Sequence, residues 1–166
     1  SNGVLTPVKV SGLSRVKAVA AGGNHSLALT NYSSVWSWGN NFAGQLGNNT
    51  TISQSKPVQV TDGSAILGNV RQIAAGGSHS LALKYDGTVW AWGYNEYGQL
   101  GQGAAITSSS PLPLPVAGLG PVKLIAAGGA FSVAVDTSDR VWVWGYNGFG
   151  QLGLPTTTPF SGAPQQ

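Results

Sequence analysis

Apolar and polar positions alternate over short stretches of this chain, and the same alternation returns three times. In the middle copy, Val70-Arg71-Gln72-Ile73-Ala74 is a short β-prone run. It ends at Ala75-Gly76-Gly77, a breaker that admits backbone conformations other residues avoid. His79-Ser80-Leu81-Ala82-Leu83 then alternates large and small side chains, the period of a strand with two different faces. Asp86-Gly87 predicts a hairpin turn, and Val89-Trp90-Ala91-Trp92-Gly93 places both indoles on one face of the next strand. After the loop 94–103 and a polar stretch, Pro113-Leu114-Pro115-Val116 predicts a strand at a sheet edge, where a missing N–H is tolerated. Lys56-Pro57-Val58-Gln59-Val60 holds the same place after the first copy.

Gly22, Gly76 and Gly128 align the copies, 54 and then 52 residues apart, and Gly39, Gly93, Gly145 and Gln45, Gln99, Gln151 keep both spacings. Self-similarity at a fixed period marks a repeat architecture. Each period yields four short antiparallel strands, inner to outer, with proline on the outermost. Four strands in a period above about 40 residues make one propeller blade. Helix pairs would need a 3.6-residue apolar period, which no segment has. The predicted fold is therefore all-β: a β-propeller of four-stranded antiparallel blades, with three repeats in this chain. Residues 1–166 read as a single propeller-forming unit, with an outer strand at 7–10 and repeats at about 16–60, 70–116 and 122–166.

Composition narrows the classes of partner. Only 8% of the 166 residues are charged while 42% are apolar, against roughly 25% charged in average domains. Such a chain must pack and pair its backbone. The net charge of +3 comes from Lys and Arg that never form a run of three, so no nucleic-acid footprint is expected. No apolar run approaches the ~20 residues of a membrane span. The absence of cysteine excludes disulfides and thiolate metal sites. There is neither a secretory signal nor an initiator Met, which implies a processed or excised chain. Low charge with abundant Gly, Ser, Thr and Asn suits an extracellular or surface-exposed bacterial protein.

Ala-Gly-Gly-x-His-Ser-Leu-Ala-Leu, Val-Trp-x-Trp-Gly, Asn-x-x-Gly-Gln-Leu-Gly and a closing Pro-Val-x-Val resemble the repeats of the regulator of chromosome condensation (RCC1-type) family. The resemblance runs from Pro7 to about Leu154. It implies a β-propeller, usually of seven blades. It also implies functions performed by loops offered to a protein or nucleic acid: nucleotide exchange on a small GTPase, chromatin binding, membrane-signalling scaffolding and, in a bacterial secreted member, β-lactamase inhibition. Exchange activity in that family depends on an inserted wedge and an acidic face. Here length varies only at 61–69, 48–56 and 102–110, and there are five acidic residues. Chromatin binding there uses a basic N-terminal tail, whereas residues 1–10 carry one lysine. Neither activity is expected to transfer.

The repeat also sorts candidate chemistry. His25 and His79 are equivalent, and Phe131 takes their place in the third copy, so the position is expected to fill space rather than to catalyse or bind metal. Trp36, Trp38, Trp90, Trp92, Trp142 and Trp144 could form a sugar-stacking or peptide-anchoring surface, but their recurrence in every copy predicts that most of them fill the wedges between blades. Gly98 to Gly103 lacks the Lys-Ser/Thr of a phosphate loop. Asp62, Asp86, Glu96, Asp136 and Asp139 occupy unlike positions and offer no acid/base pair. Ser26, Ser80 and Ser132 lie on the opposite strand face from the His/Phe position, so no catalytic triad is expected. No catalytic, cofactor or metal set emerges, and no enzyme is expected. The residues expected at a binding rim are the loop aromatics Phe42, Tyr94, Tyr97, Tyr146 and Phe149.

The expected function is a non-enzymatic scaffold that offers rim loops to a protein partner, because the copies differ mainly in their loops. The alternatives are a carbohydrate-binding propeller, and a propeller fragment without its own ligand. Self-association is also expected. Pro7-Val8-Lys9-Val10 reads as an outer strand with no blade before it, and the third copy reads as lacking its outermost strand beyond Pro164. Two copies exchanging that first strand would complete a six-bladed homodimer ring.

Overall fold

The computed structural model describes residues 6–103 and 107–166. Among these the chain forms twelve strands and no helix, arranged as three four-stranded antiparallel sheets. The first sheet contains β1 (Val16–Ala21), β2 (His25–Thr30), β3 (Val35–Gly39) and β4 (Gln54–Gln59). The second contains β5 (Val70–Ala75), β6 (His79–Lys84), β7 (Val89–Gly93) and β8 (Ser110–Pro115). The third contains β9 (Val122–Ala127), β10 (Phe131–Asp136), β11 (Val141–Tyr146) and β12 (Phe160–Gln165). Within every sheet the spatial order is the chain order. The inner strands β1, β5 and β9 adjoin one another from blade to blade. This is the predicted architecture.

The alternation seen in the sequence becomes two blade faces. His79, Leu81 and Leu83 look toward the following blade, and Ser80 and Trp92, paired across β6 and β7, look toward the preceding one. Both joints are therefore apolar. Leu27, Leu29 and Val35 of the first blade meet Val70, Ile73 and Trp92 of the second. Leu81, Leu83 and Val89 meet Val122, Ile125 and Trp144. Each such side chain contributes about 1.5–3 kcal/mol when fully buried. Proline sits on the outermost strands, as its missing donor requires: Pro57 in β4, Pro111, Pro113 and Pro115 in β8, and Pro164 in β12.

Near the axis the inner strands converge too closely for side chains. A Cβ on Gly22 would lie 2.6 Å from the Gly76 carbonyl and 2.3 Å from the His25 ring. Gly93 leaves its strand at φ +100, where a Cβ would also strike the Ser78 carbonyl at 2.6 Å.

Two expectations about the chain's ends are overturned. Pro7 to Val10 form no strand. Among the described residues no neighbouring strand pairs with the segment, and it lines a cavity with Trp38, Ser55, Lys56 and Pro57 of the first blade instead. The third blade does not lack its outer strand either. β12 pairs with β11 through Gly145↔Ser161 and Tyr146↔Phe160. With its own fourth strand in place, that blade has no vacancy for a strand from another copy, and the exchanged-strand dimer falls.

Candidate functional site

The antiparallel order puts the β1–β2 and β3–β4 connections, and their counterparts, at one end of the blades. Across the described residues 22–24, 39–53, 76–78, 93–103, 107–109, 128–130 and 145–159, Glu96 is the single charged residue. Arg15, Lys17, Arg71, Lys84, Lys123 and Arg140 gather at the other end, and several are engaged there. Arg15 lies over Tyr32, Lys17 over Tyr85, Lys84 over Trp90 and Arg140 over Trp142. The loops at the first of these ends are thus almost free of formal charge, with Lys9 and Lys56 set beside Trp38 at the edge of the first blade.

The five aromatic residues expected at a rim all lie at that end. Four form a continuous ladder across the second and third blades. Ring centroids are 6.3 Å apart between Tyr94 and Tyr97, 4.8 Å between Tyr97 and Tyr146, and 6.0 Å between Tyr146 and Phe149. The outer contacts are edge-on, the geometry the ring quadrupole favours. The tyrosines are half-buried, whereas Phe149 is 87% exposed. Phe42 is 81% exposed. It joins the ladder through a cavity of about 540 Å³ that it lines with Tyr94, Ala43, Pro111 and the polar Asn40 and Ser78. Tyr94 donates its hydroxyl proton to the Glu96 carboxylate.

What holds these loops was not read from the sequence. Asn41, Asn95 and Asn147 are fully buried at the same repeat position. Their Oδ1 atoms accept the amides of Leu46, Leu100 and Leu152, each at 2.9 Å. Their Nδ2 groups donate across the loop, Asn41 to the Thr50 carbonyl and Asn147 to that of Thr158. The glutamines act one turn away: the Oε1 atoms of Gln99 and Gln151 accept the amides of Tyr97 and Phe149. The signal was present, since asparagine recurs at the repeat spacing, but a polar residue in a loop gives no sign of burial.

Gln45 and Gln99 also tie the rim to the blade joints. His25 Nε2 lies 2.8 Å from Ser80 Oγ, which donates to the Gln45 carbonyl at 2.9 Å. The Trp92 indole donates to that carbonyl as well, at 2.9 Å. His79, Ser132, Gln99 and Trp144 repeat the arrangement at the next joint. Because each serine proton is committed to a carbonyl, the serine oxygen accepts, and the proton on the histidine ring sits on Nε2. The Nδ1 atoms face no partner. Burial lowers His25 to about 4, and burial together with the charge of His25 lowers His79 to about 3. Both rings are neutral structural donors.

The tryptophans divide. Trp92 and Trp144 are fully buried in the joints, as expected of wedge-filling residues. Trp36, Trp38, Trp90 and Trp142 remain partly exposed. Trp90 donates to Thr88 Oγ1 and Trp142 to the Asp136 carboxylate, and that bond, the first of several, holds Asp136 down to about 2. Among the described residues no three His, Asp or Glu side chains gather to hold a metal.

Comparison with known proteins agrees with this architecture. The model of the regulator of chromosome condensation (RCC1) repeat matches residues 33–83, 86–135 and 138–166. The chain is 34% identical over 154 residues to the RCC1 domain-containing protein RUG3, mitochondrial, of Arabidopsis thaliana, covering 92% of this chain and 34% of that protein. Human WBSCR16 superimposes with a TM-score of 0.79 at 33% identity, over 90% of this chain and 37% of that one. Yeast RCC1 (Prp20), solved with Kap60 bound, gives 0.78 at 30% identity, over 93% and 37%. The chain spans about a third of the length of these relatives. On the repeat match, the identity and the shared blade geometry, this chain belongs to the regulator of chromosome condensation repeat family.

Proposed function

We propose that this chain is a non-enzymatic docking module whose aromatic end binds a protein partner. The observation that carries the reading is the ladder from Tyr94 to Phe149, continued to Phe42 by the cavity between the first two blades. Exposed aromatic rings on a rigid support are the anchors protein interfaces use, because they bury a large area at small entropic cost. The buried asparagines and glutamines supply the rigidity. That a yeast relative is solved with Kap60 bound lends support by family likeness. The near absence of charge at this end predicts a contact that salt hardly changes. Self-association is part of the same reading, since Val19 of the first blade and Val141 of the third are exposed apolar side chains.

The test is photocrosslinking from single positions. A photoreactive residue at Phe149 or Phe42 is expected to capture one defined protein, and the same residue at Tyr85, at the opposite end, is not. Capture equal from both ends, or capture abolished by free sugar, would replace this reading, the second outcome in favour of carbohydrate binding.

A further inference from the structure

The two ends of the blades treat their aromatic rings in opposite ways. At the charged end Tyr32, Tyr85, Trp90 and Trp142 each carry a cation of the chain itself, between 4.1 and 5.6 Å from the ring centre. At the other end Phe42, Tyr94, Tyr97, Tyr146 and Phe149 have no such partner among the described residues, and the described loops that hold them contain no lysine or arginine to supply one. What those loops do contain is negative. Glu96 accepts the Tyr94 hydroxyl proton and takes part in neither ion pair of the described residues, Lys123 with Asp139 and Arg140 with Asp136. An aromatic face carries the negative part of the ring quadrupole, so these rings and the carboxylate together make a surface complementary to positive charge. A seat is also present. Phe42 and Tyr94 line one cavity of about 540 Å³ between the first and second blades, where Thr51, Ser78 and Ser109 bring hydroxyl oxygens able to accept.

We infer that this cavity seats a lysine or arginine side chain of the protein that docks on the aromatic end, its charged head between the Phe42 and Tyr94 rings and beside the Glu96 carboxylate. This rests on the docking reading above and names the chemistry of its central contact. A cation on a ring is the arrangement the chain builds from its own residues at the opposite end. Here the partner brings the cation. An acidic side chain in the same place would meet like charge and negative ring faces. A neutral one would leave the Glu96 charge uncompensated as the interface closes over it. A single charge pair flanked by rings is screened little, in keeping with a contact that salt hardly changes.

The probes are short peptides, acetylated at one end and amidated at the other, with lysine, arginine, norleucine or glutamate between glycines. Each is titrated into the whole chain and read by nuclear magnetic resonance at the Phe42 and Tyr94 ring protons. The lysine and arginine peptides are expected to shift both rings saturably, the norleucine peptide about fivefold more weakly, and the glutamate peptide not at all. Glu96→Gln keeps an acceptor for the Tyr94 hydroxyl and removes only the charge. It should weaken the cationic peptides about threefold, the effect of one exposed ion pair, and leave the norleucine peptide unchanged. Phe42→Ala should weaken the cationic peptides about threefold as well. Both side chains are exposed, so folding, checked by circular dichroism, should persist. Norleucine bound as tightly as lysine, cationic peptides that shift neither ring, or a Glu96→Gln protein that binds lysine as well as its parent would each overturn the cation seat and leave the docking face standing. Cationic peptides that bind as expected while photocrosslinking at Phe42 and Phe149 captures no protein would overturn the docking reading, and with it the partner assigned to the seat.

Discussion

Trp92→Ala probes the joint more sharply than any other substitution, because the repeat supplies its own control. Trp92 is fully buried against the first blade, and its indole donates to the Gln45 carbonyl. Trp38 occupies the same repeat position, faces no other blade among the described residues and is only partly buried. Removing a buried tryptophan costs about 3–5 kcal/mol. Losing the indole donor adds little, since Ser80 Oγ still satisfies the same carbonyl. With a urea slope of about 2 kcal/mol/M, the midpoint should fall by roughly 1.5–2.5 M. Trp38→Ala should move it far less. The assay is urea unfolding followed by far-ultraviolet circular dichroism, at dilution sufficient to keep the chain monomeric. Equal losses for Trp38→Ala and Trp92→Ala would refute the claim that neighbouring blades, rather than each blade's own sheet, hold these rings.

His79→Phe removes one bond, to Ser132 Oγ, while that serine keeps its carbonyl acceptor; a loss under about 2 kcal/mol in the same assay is expected. The lowered pKa values of His25 and His79 fix the sign of an acid effect. The unfolded chain takes up protons near pH 6.5 while the folded chain does not, so stability is full above that pH and falls below it. By pH 4.5 the loss should be roughly 2–3 kcal/mol per histidine. Urea midpoints measured from pH 7 to 4.5 should show it, and His79→Phe should flatten the slope. Asn147→Ala should free the loop after the third blade's third strand, seen as faster hydrogen exchange at the Leu152 amide, which Asn147 Oδ1 accepts.

The fold was legible because its strands alternate and its period repeats, so every local signal appeared three times. The ends were harder. Phe160-Ser161-Gly162-Ala163-Pro164-Gln165 carries no alternating apolar pattern, yet it begins nine residues after Gln151, as β4 begins nine after Gln45. Counting from the repeat would have found it. Pro7 to Val10 matched the repeat's closing Pro-Val-x-Val and so looked like an outer strand, but a strand exists only where a neighbour offers a ladder. At the candidate site, the aromatic residues stood out by type and loop position. The contact between Tyr97 and Tyr146, 49 positions apart, comes from the placement of adjacent blades, and no local pattern encodes it. The histidines could be recognised as structural from Phe131, but their serine partners lie one repeat further on.

The aromatic end as a docking face is tested most directly by calorimetry on the protein captured there. Wild type and the double variant Tyr97→Ser/Tyr146→Ser are titrated with it at low and at high salt. Both variant positions are half-buried loop side chains, and unchanged circular dichroism checks that the blades persist. The account predicts at least a tenfold weaker affinity for the double variant, about 1.4 kcal/mol or more, and a wild-type affinity nearly independent of salt. A double variant that binds as tightly as the wild type, or an affinity that collapses as salt rises, would contradict it.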